Sequence, residues 1–77
     1  MDTLTDRITV NADIMTGKPT IRGLRITVEQ ILNALAAGVP PDDLLEDFPE
    51  LEPEDIQAAL AFAADLVSET RMYPVAV

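Results

Sequence analysis

Three of the five basic residues of this 77-residue chain lie in one short segment, TGKPTIRGLRIT, which spans residues 16–27. Lys18, Arg22 and Arg25 form this cationic patch. They could neutralise phosphates, the interaction that supplies much of the affinity of proteins for nucleic acid. Carboxylates could instead bind the three cations, within the chain or across a subunit interface, or the cations could form a solvated face. The sequence leaves these three interpretations open.

The charge of the chain is predominantly negative and unevenly distributed, with a formal net charge of −9. Residues 1–25 contain four basic and three acidic side chains, whereas residues 26–77 contain one basic and eleven acidic side chains. A negative field repels phosphate backbones over about 8 Å at physiological salt and attracts basic proteins. The composition therefore favours a basic protein partner over nucleic acid.

Catalytic and metal-binding chemistry has little support in the sequence. The chain has no His, Cys or Trp, so it cannot form the usual nucleophile–base pairs. Acidic residues are dense between residues 42 and 55, and carboxylates can bind Mg²⁺ or Ca²⁺. Their spacing differs from that of an EF-hand loop, and several stand where acidic residues stabilise a helix start. We therefore predict no enzymatic activity, no metal site and no cofactor.

Short strands are predicted near the N-terminus. The alternating, β-branched stretch RITV at residues 7–10 is typical of a strand. The segment at residues 20–27 predicts a β-hairpin with a type II′ turn at Gly23-Leu24. In that register Arg22 lies opposite Arg25, and Ile21 opposite Ile26, with the isoleucines on one face. Because two arginines facing each other are destabilising, we expect an anion over them.

Three helices are predicted after the hairpin. Thr27 and Gln30 have the spacing of a capping box, and Gly38 ends the first helix. The second helix begins at about Pro41 and stops before Pro49, and the third begins near Pro53. The predicted buried stripe of the third helix is Ile56, Ala59, Leu60, Ala63 and Val67. Phe62 lies off this stripe, which indicates either a wider core or a dimer surface.

The fold class that follows is mainly α with short N-terminal β-strands, a three-helix bundle preceded by a β-hairpin. We predict one domain over residues 1–77, with strands and hairpin at 7–27, the bundle at 28–69 and an extended tail at 70–77. A core this small, with no disulfide, favours a homodimer. The candidate dimer residues are Ile21, Ile26 and Phe62. Without a long apolar run or signal-peptide features, the expected location is cytoplasmic, with no membrane contact.

The tail ends in RMYPVAV, which is more apolar than a three-helix core requires. It could add a strand to a partner or fill a groove, it could pack on its own domain or on a second copy, or it could be disordered. The candidate partner-binding residues are Arg71, Met72, Tyr73, Val75 and Val77.

Residues 7–67, approximately, resemble a known family. The most specific motifs of this region are GKPTIRGLRI, AAGVPPDDLLEDFPEL and DIQAALAFAA. The chain resembles the bacterial family catalogued as domain of unknown function 433. The resemblance implies a homeodomain-like helix-turn-helix fold preceded by short strands. It also implies an antitoxin that neutralises a nuclease-like toxin of PIN-type fold and can regulate its own operator. No catalytic residues are carried over from the family.

The third helix would be the DNA-reading helix of such a fold. Its start carries Glu52, Glu54 and Asp55, and no cation follows before Arg71. We therefore expect no major-groove binding by this helix, and nucleic acid has weak support overall. An acidic antitoxin suits a toxin whose surface accommodates RNA, so the preferred function is binding of a cognate protein toxin. A DNA-binding regulator and a structural homodimer module are the alternatives.

Overall fold

A computed structural model describes residues 4–68, in which two short strands precede three α-helices. This arrangement confirms the predicted fold class. The strands are β1 (Ile8–Thr9) and β2 (Thr20–Ile21), and the helices are α1 (Val28–Ala36), α2 (Pro41–Asp47) and α3 (Pro53–Ser68). Two 3-10 turns, Leu4–Arg7 and Met15–Gly17, flank β1. No helix within residues 4–68 is long and apolar enough to cross a membrane.

The two strands pair antiparallel, with Ile8 opposite Ile21. The hairpin predicted for residues 20–27 is correct in part, because Thr20 and Thr27 form an isolated antiparallel β-bridge. The predicted turn is wrong by one residue. Its central residues are Arg22 and Gly23, with φ of 47° and 74°, the signs that a type I′ turn requires. The Arg22 N–H donates to the carbonyl of Arg7, the residue directly before β1, at 2.8 Å, so the predicted Arg22–Arg25 pair does not form.

Helix α1 has the predicted ends. The Thr27 hydroxyl accepts the Gln30 N–H at 3.0 Å, and the Gln30 side chain accepts the Thr27 N–H at 2.9 Å. At the other end Gly38 has a φ of 93°. The Val39 N–H donates to the Ala34 carbonyl at 3.0 Å, which is the hydrogen bond of a Schellman motif. These local contacts define where α1 starts and stops.

The core contains side chains from β2 and from all three helices. Its buried members are Ile21, Ile26, Val28, Ile31, Leu44, Leu51, Ile56 and Ala59. Ile21 and Ile26 are only 0% and 7% exposed within a single chain. The proposed role of these two isoleucines in a dimer is therefore corrected: they are core residues and have almost no surface to offer to a second copy. The homodimer itself stays a prediction.

The buried face of α3 differs from the predicted stripe. Ile56 and Ala59 are buried as expected, but Leu60 and Val67 are 48% and 53% exposed. The helix is rotated so that Asp55 and Ala58 face the interior. On this face Asp55 is ion-paired with Arg7 and Arg22, which offsets the cost of burying its carboxylate.

Replacing Thr27 with Val tests the capping box. Valine has nearly the same shape but no hydroxyl oxygen, so the Gln30 N–H loses its acceptor. We expect the free energy of unfolding to fall by about 1 kcal/mol, measured by chemical denaturation. Thr27→Ser keeps the acceptor and is the control. A Thr27→Val protein as stable as the wild type would contradict this interpretation of the helix start.

Candidate functional site

The carboxylate of Asp55 lies at the start of α3 and is fully shielded from solvent. Arg22 binds it with two nitrogens: Nε donates to Oδ1 at 3.1 Å and Nη2 donates to Oδ2 at 2.8 Å. Arg7 donates from Nη1 to Oδ1 at 2.9 Å. The guanidinium groups of two residues far apart in the chain thus converge on one buried carboxylate.

Further contacts complete this cluster, which comprises Arg7, Arg22, Glu52 and Asp55. The Glu52 N–H donates to Oδ2 of Asp55 at 2.8 Å. An acidic side chain in the first turn of a helix commonly accepts such a hydrogen bond from the backbone N–H of the residue before the helix. Arg7 also donates to the Glu52 side chain at 2.7 Å, and Arg22 donates to the Glu50 carbonyl at 2.7 Å. The arginine–carboxylate cluster therefore joins the N-terminal segment, the β2 turn and the start of α3.

Every member of the arginine–carboxylate cluster for which a shift is resolved is held in its charged form. Burial raises the pKa of Asp55, but the hydrogen bonds from Arg22, the Glu52 N–H and Arg7 outweigh it, so the pKa lies below its usual value. Hydrogen bonds to Glu52 and Asp55 raise the pKa of Arg7, and the hydrogen bond to Asp55 raises that of Arg22. The ion pairs are consequently intact at neutral pH.

The structure gives the three residues of the cationic patch three different environments. Arg22 is bound to Asp55, which agrees with the interpretation of internal ion pairing. Lys18 pairs with Glu29 at 2.9 Å on the surface, where both side chains are exposed. Arg25 is exposed and makes no ion pair with any residue in the described range 4–68. A joint phosphate-binding surface would require at least two of these cations to leave their carboxylates.

Arg7 is a site residue that sequence reasoning missed. The sequence predicts that Arg7 begins a strand, and nothing in its neighbourhood along the chain marks it as a partner of a carboxylate 48 residues away. The candidate partner-binding residues of the tail lie outside the described residues; these are Arg71, Met72, Tyr73, Val75 and Val77.

An apolar groove of about 240 Å³ lies between α1 and the C-terminal half of α3. Six of its lining residues are apolar: Pro19, Val28, Leu32, Phe62, Ala63 and Leu66. Phe62 is half-buried and packs against the core, while Leu66 is 54% exposed. We refer to this feature as the α1–α3 groove.

A second depression, of about 460 Å³, lies beside the turn Met15–Gly17 and the start of α1. Most of its lining residues are polar, and four of them are already paired: Lys18 binds Glu29, and Thr27 binds Gln30. Within residues 4–68 no buried side-chain nitrogen or oxygen lacks a hydrogen bond. In the same range no group of three or more acidic side chains is placed to hold a metal ion. The α1–α3 groove is therefore the stronger candidate for a binding site.

The comparison with known proteins places the chain in a family. The model of the family described as "Protein of unknown function (DUF433)" matches residues 8–63, which include the strands, α1, α2 and most of α3. The chain belongs to the DUF433 family. The matched region contains Arg22, Glu52 and Asp55, whereas Arg7 immediately precedes it.

One curated relative of this DUF433 protein is "Uncharacterized protein y4eO" from Sinorhizobium fredii (strain NBRC 101917 / NGR234). The two are 36% identical over 56 residues, which is 73% of this chain and 25% of the relative. The chain thus spans about a quarter of the length of that relative. No solved structure matches the chain of the DUF433 protein.

Replacing Asp55 with Asn tests the arginine–carboxylate cluster of the DUF433 protein. The amide is neutral and leaves both arginines without their shared counter-charge. We expect the free energy of unfolding to fall by about 3 kcal/mol, the lower end of the cost of breaking a buried ion pair, because both guanidinium groups are partly exposed. Glu54→Gln is the matched control: it removes the charge of an exposed acid in the same helical turn and should change stability by less than about 0.5 kcal/mol.

The effect of Asp55→Asn should also depend on pH. The folded-state pKa of Asp55 lies below the unfolded value of about 3.9. Its ionised form therefore contributes stability above the unfolded pKa, and this contribution is lost as the pH falls through the folded-state pKa. We expect the stability difference between wild type and variant to shrink below about pH 4. A difference that is constant down to acid unfolding would contradict the assignment.

The substitutions Arg22→Gln and Arg25→Gln distinguish the roles of the two arginines in and after the β2 turn. Both substitutions remove one positive charge from the same segment, but only Arg22 binds a buried carboxylate. We expect a lower denaturation midpoint for Arg22→Gln and an unchanged one for Arg25→Gln. Equal effects of the two substitutions would show that the turn acts through its overall charge and not through Asp55.

Proposed function

We propose that this DUF433 protein is an antitoxin, an acidic module that binds and neutralises a basic, RNA-cleaving toxin of PIN-like fold. One observation carries the proposal: the cations of residues 4–68 are largely bound to the protein's own carboxylates, whereas most of its acidic side chains remain on the surface. Such a surface favours a positively charged protein and disfavours a phosphate backbone.

The exposed acids of the helical region contribute to this surface. Those without an ion pair in the described helices are Asp42, Asp43, Glu46, Asp47, Glu54 and Asp65. A protein that cleaves RNA must present positive charge to the phosphates of its substrate. The same positive charge would be attracted by these carboxylates, so binding of the antitoxin and binding of RNA would compete on electrostatic grounds.

The alternative of a DNA-binding regulator has weaker support. In a helix-turn-helix arrangement α3 would enter the major groove. Between Pro53 and Ser68 this helix contains no Lys or Arg, and its exposed face begins with Glu54. Arg25 is the one cation of residues 4–68 without an ion pair. A single free arginine among residues 4–68 is a small contribution to phosphate binding, even if the protein is a dimer.

Inhibition of a nuclease tests the proposal. If a PIN-like protein is encoded next to the gene for this chain, its RNA-cleaving activity should be lost when the purified DUF433 protein is added in equimolar amount. The double substitution Glu46→Gln with Asp47→Asn should slow association by about threefold at low salt, because it removes exposed charge. Both residues lie in the last turn of α2, where negative charge does not stabilise the helix, so the fold should be preserved.

Arg25→Gln is the control for the charge effect, since it makes the chain more acidic and should leave association unchanged or faster. Undiminished RNA cleavage in the presence of excess DUF433 protein would refute the antitoxin proposal. Binding to duplex DNA from upstream of its own gene, with affinity falling steeply as salt rises, would favour the regulator instead.

A further inference from the structure

The α1–α3 groove continues the buried face of α3 towards the C-terminal end of the helix. Asp55, Ala59, Phe62 and Leu66 are spaced so that they lie on one side of the helix. Exposure increases along this side: Asp55 and Ala59 are fully buried, Phe62 is half-buried and Leu66 is 54% exposed. Because α3 has 16 residues and α1 has nine, α1 can cover only part of this side of α3.

The groove is suited to a helix better than to a strand. An extended segment gains affinity by hydrogen bonding to the free backbone groups of a strand edge. The groove offers none, because α1 and α3 use their backbone groups internally. Pro19 has no N–H, and its carbonyl already accepts the Val28 N–H at 3.0 Å. A helix brings its own backbone hydrogen bonds and needs only an apolar face to fill the space between two helices.

Charge determines which kind of helix fits. Glu29 lines the groove, and its carboxylate is largely exposed although it pairs with Lys18. Asn33 lines the same side of the groove. The chain as a whole carries a formal charge of −9. A second copy would bring the same negative charge to this surface, whereas a helix with Lys or Arg beside its apolar face would be attracted.

We infer that the α1–α3 groove binds an amphipathic helix with a basic polar face, supplied by the protein partner. The inference rests on the proposed function, because it names the segment of the toxin that the antitoxin would hold. Large apolar side chains of that helix would contact Leu32, Phe62 and Leu66, while its cations would lie near Glu29.

A synthetic peptide tests the groove without the toxin. The probe is a helical peptide of about 15 residues, with Leu on one face and Lys on the other. We expect it to shift the amide resonances of Leu32, Phe62 and Leu66 in the full chain. A peptide with Glu in place of Lys should bind at least about tenfold more weakly, because its charges are repelled.

Two substitutions on α3 provide a matched pair. Leu66 and Leu60 are both leucines on the same helix with similar exposure, 54% and 48%, but only Leu66 lines the groove. Leu66→Glu would place a charge in the groove and should weaken binding of the Lys peptide at least about tenfold. Leu60→Glu introduces the same charge outside the groove and should leave the affinity within about twofold.

Several results would overturn the inference. The peptide could shift resonances around Leu60 and Val67 instead, or the two leucine substitutions could have equal effects. Loss of a dimer in Leu66→Glu, measured by sedimentation, would show that a second copy fills the groove. Binding by a chain truncated after residue 70, but not by the full chain, would assign the groove to the protein's own C-terminal residues.

The outcome for the antitoxin proposal is separate. If the DUF433 protein fails to inhibit the nuclease but still binds the peptide, the antitoxin function is refuted, whereas the groove is still shown to bind a basic amphipathic helix.

Discussion

The buried carboxylate of Asp55 binds two guanidinium groups and one backbone N–H, and the arrangement of the domain depends on this interaction. Removing a carboxylate from water is costly unless its acceptor sites are filled. Here both oxygens accept hydrogen bonds from Arg22, one also accepts from Arg7, and the other accepts from the Glu52 N–H. The carboxylate therefore remains charged inside the protein, and it ties three separate segments together.

The turn that follows β2 shows how strongly this interaction acts on the backbone. Arg22 has a φ of 47°, in a region that costs a residue with a side chain about 1 kcal/mol. The conformation persists because the Arg22 N–H binds the Arg7 carbonyl while its guanidinium binds Asp55. Gly23 then continues the turn with positive φ at no steric cost. Local strain is thus compensated by contacts with two distant segments.

The same interaction shapes the surface of the molecule. Asp55 is drawn inward, so α3 turns Ala58 into the core and leaves Leu60 and Val67 outside. It also places Phe62 and Leu66 along the side that faces α1, where they line the α1–α3 groove. Meanwhile Arg7 and Arg22 are paired with Glu52 and Asp55, so these two cations are not free to offset the excess of carboxylates in the chain. One internal ion-pair cluster therefore influences both the apolar and the electrostatic features offered to a partner.

Short-range chemistry made much of the fold predictable from the sequence. The Thr27–Gln30 capping box, Gly38 after α1, and the prolines at the starts of α2 and α3 act through contacts within a few residues, so their spacing alone determines the helix boundaries. Membership in the DUF433 family is likewise carried by motifs along the chain. The convergence of Arg7 and Arg22 on Asp55 was decided only by tertiary structure, because these partners lie 48 and 33 residues apart. The rotation of α3 brings Asp55 to these two arginines, and no local pattern encodes a pairing over such a separation.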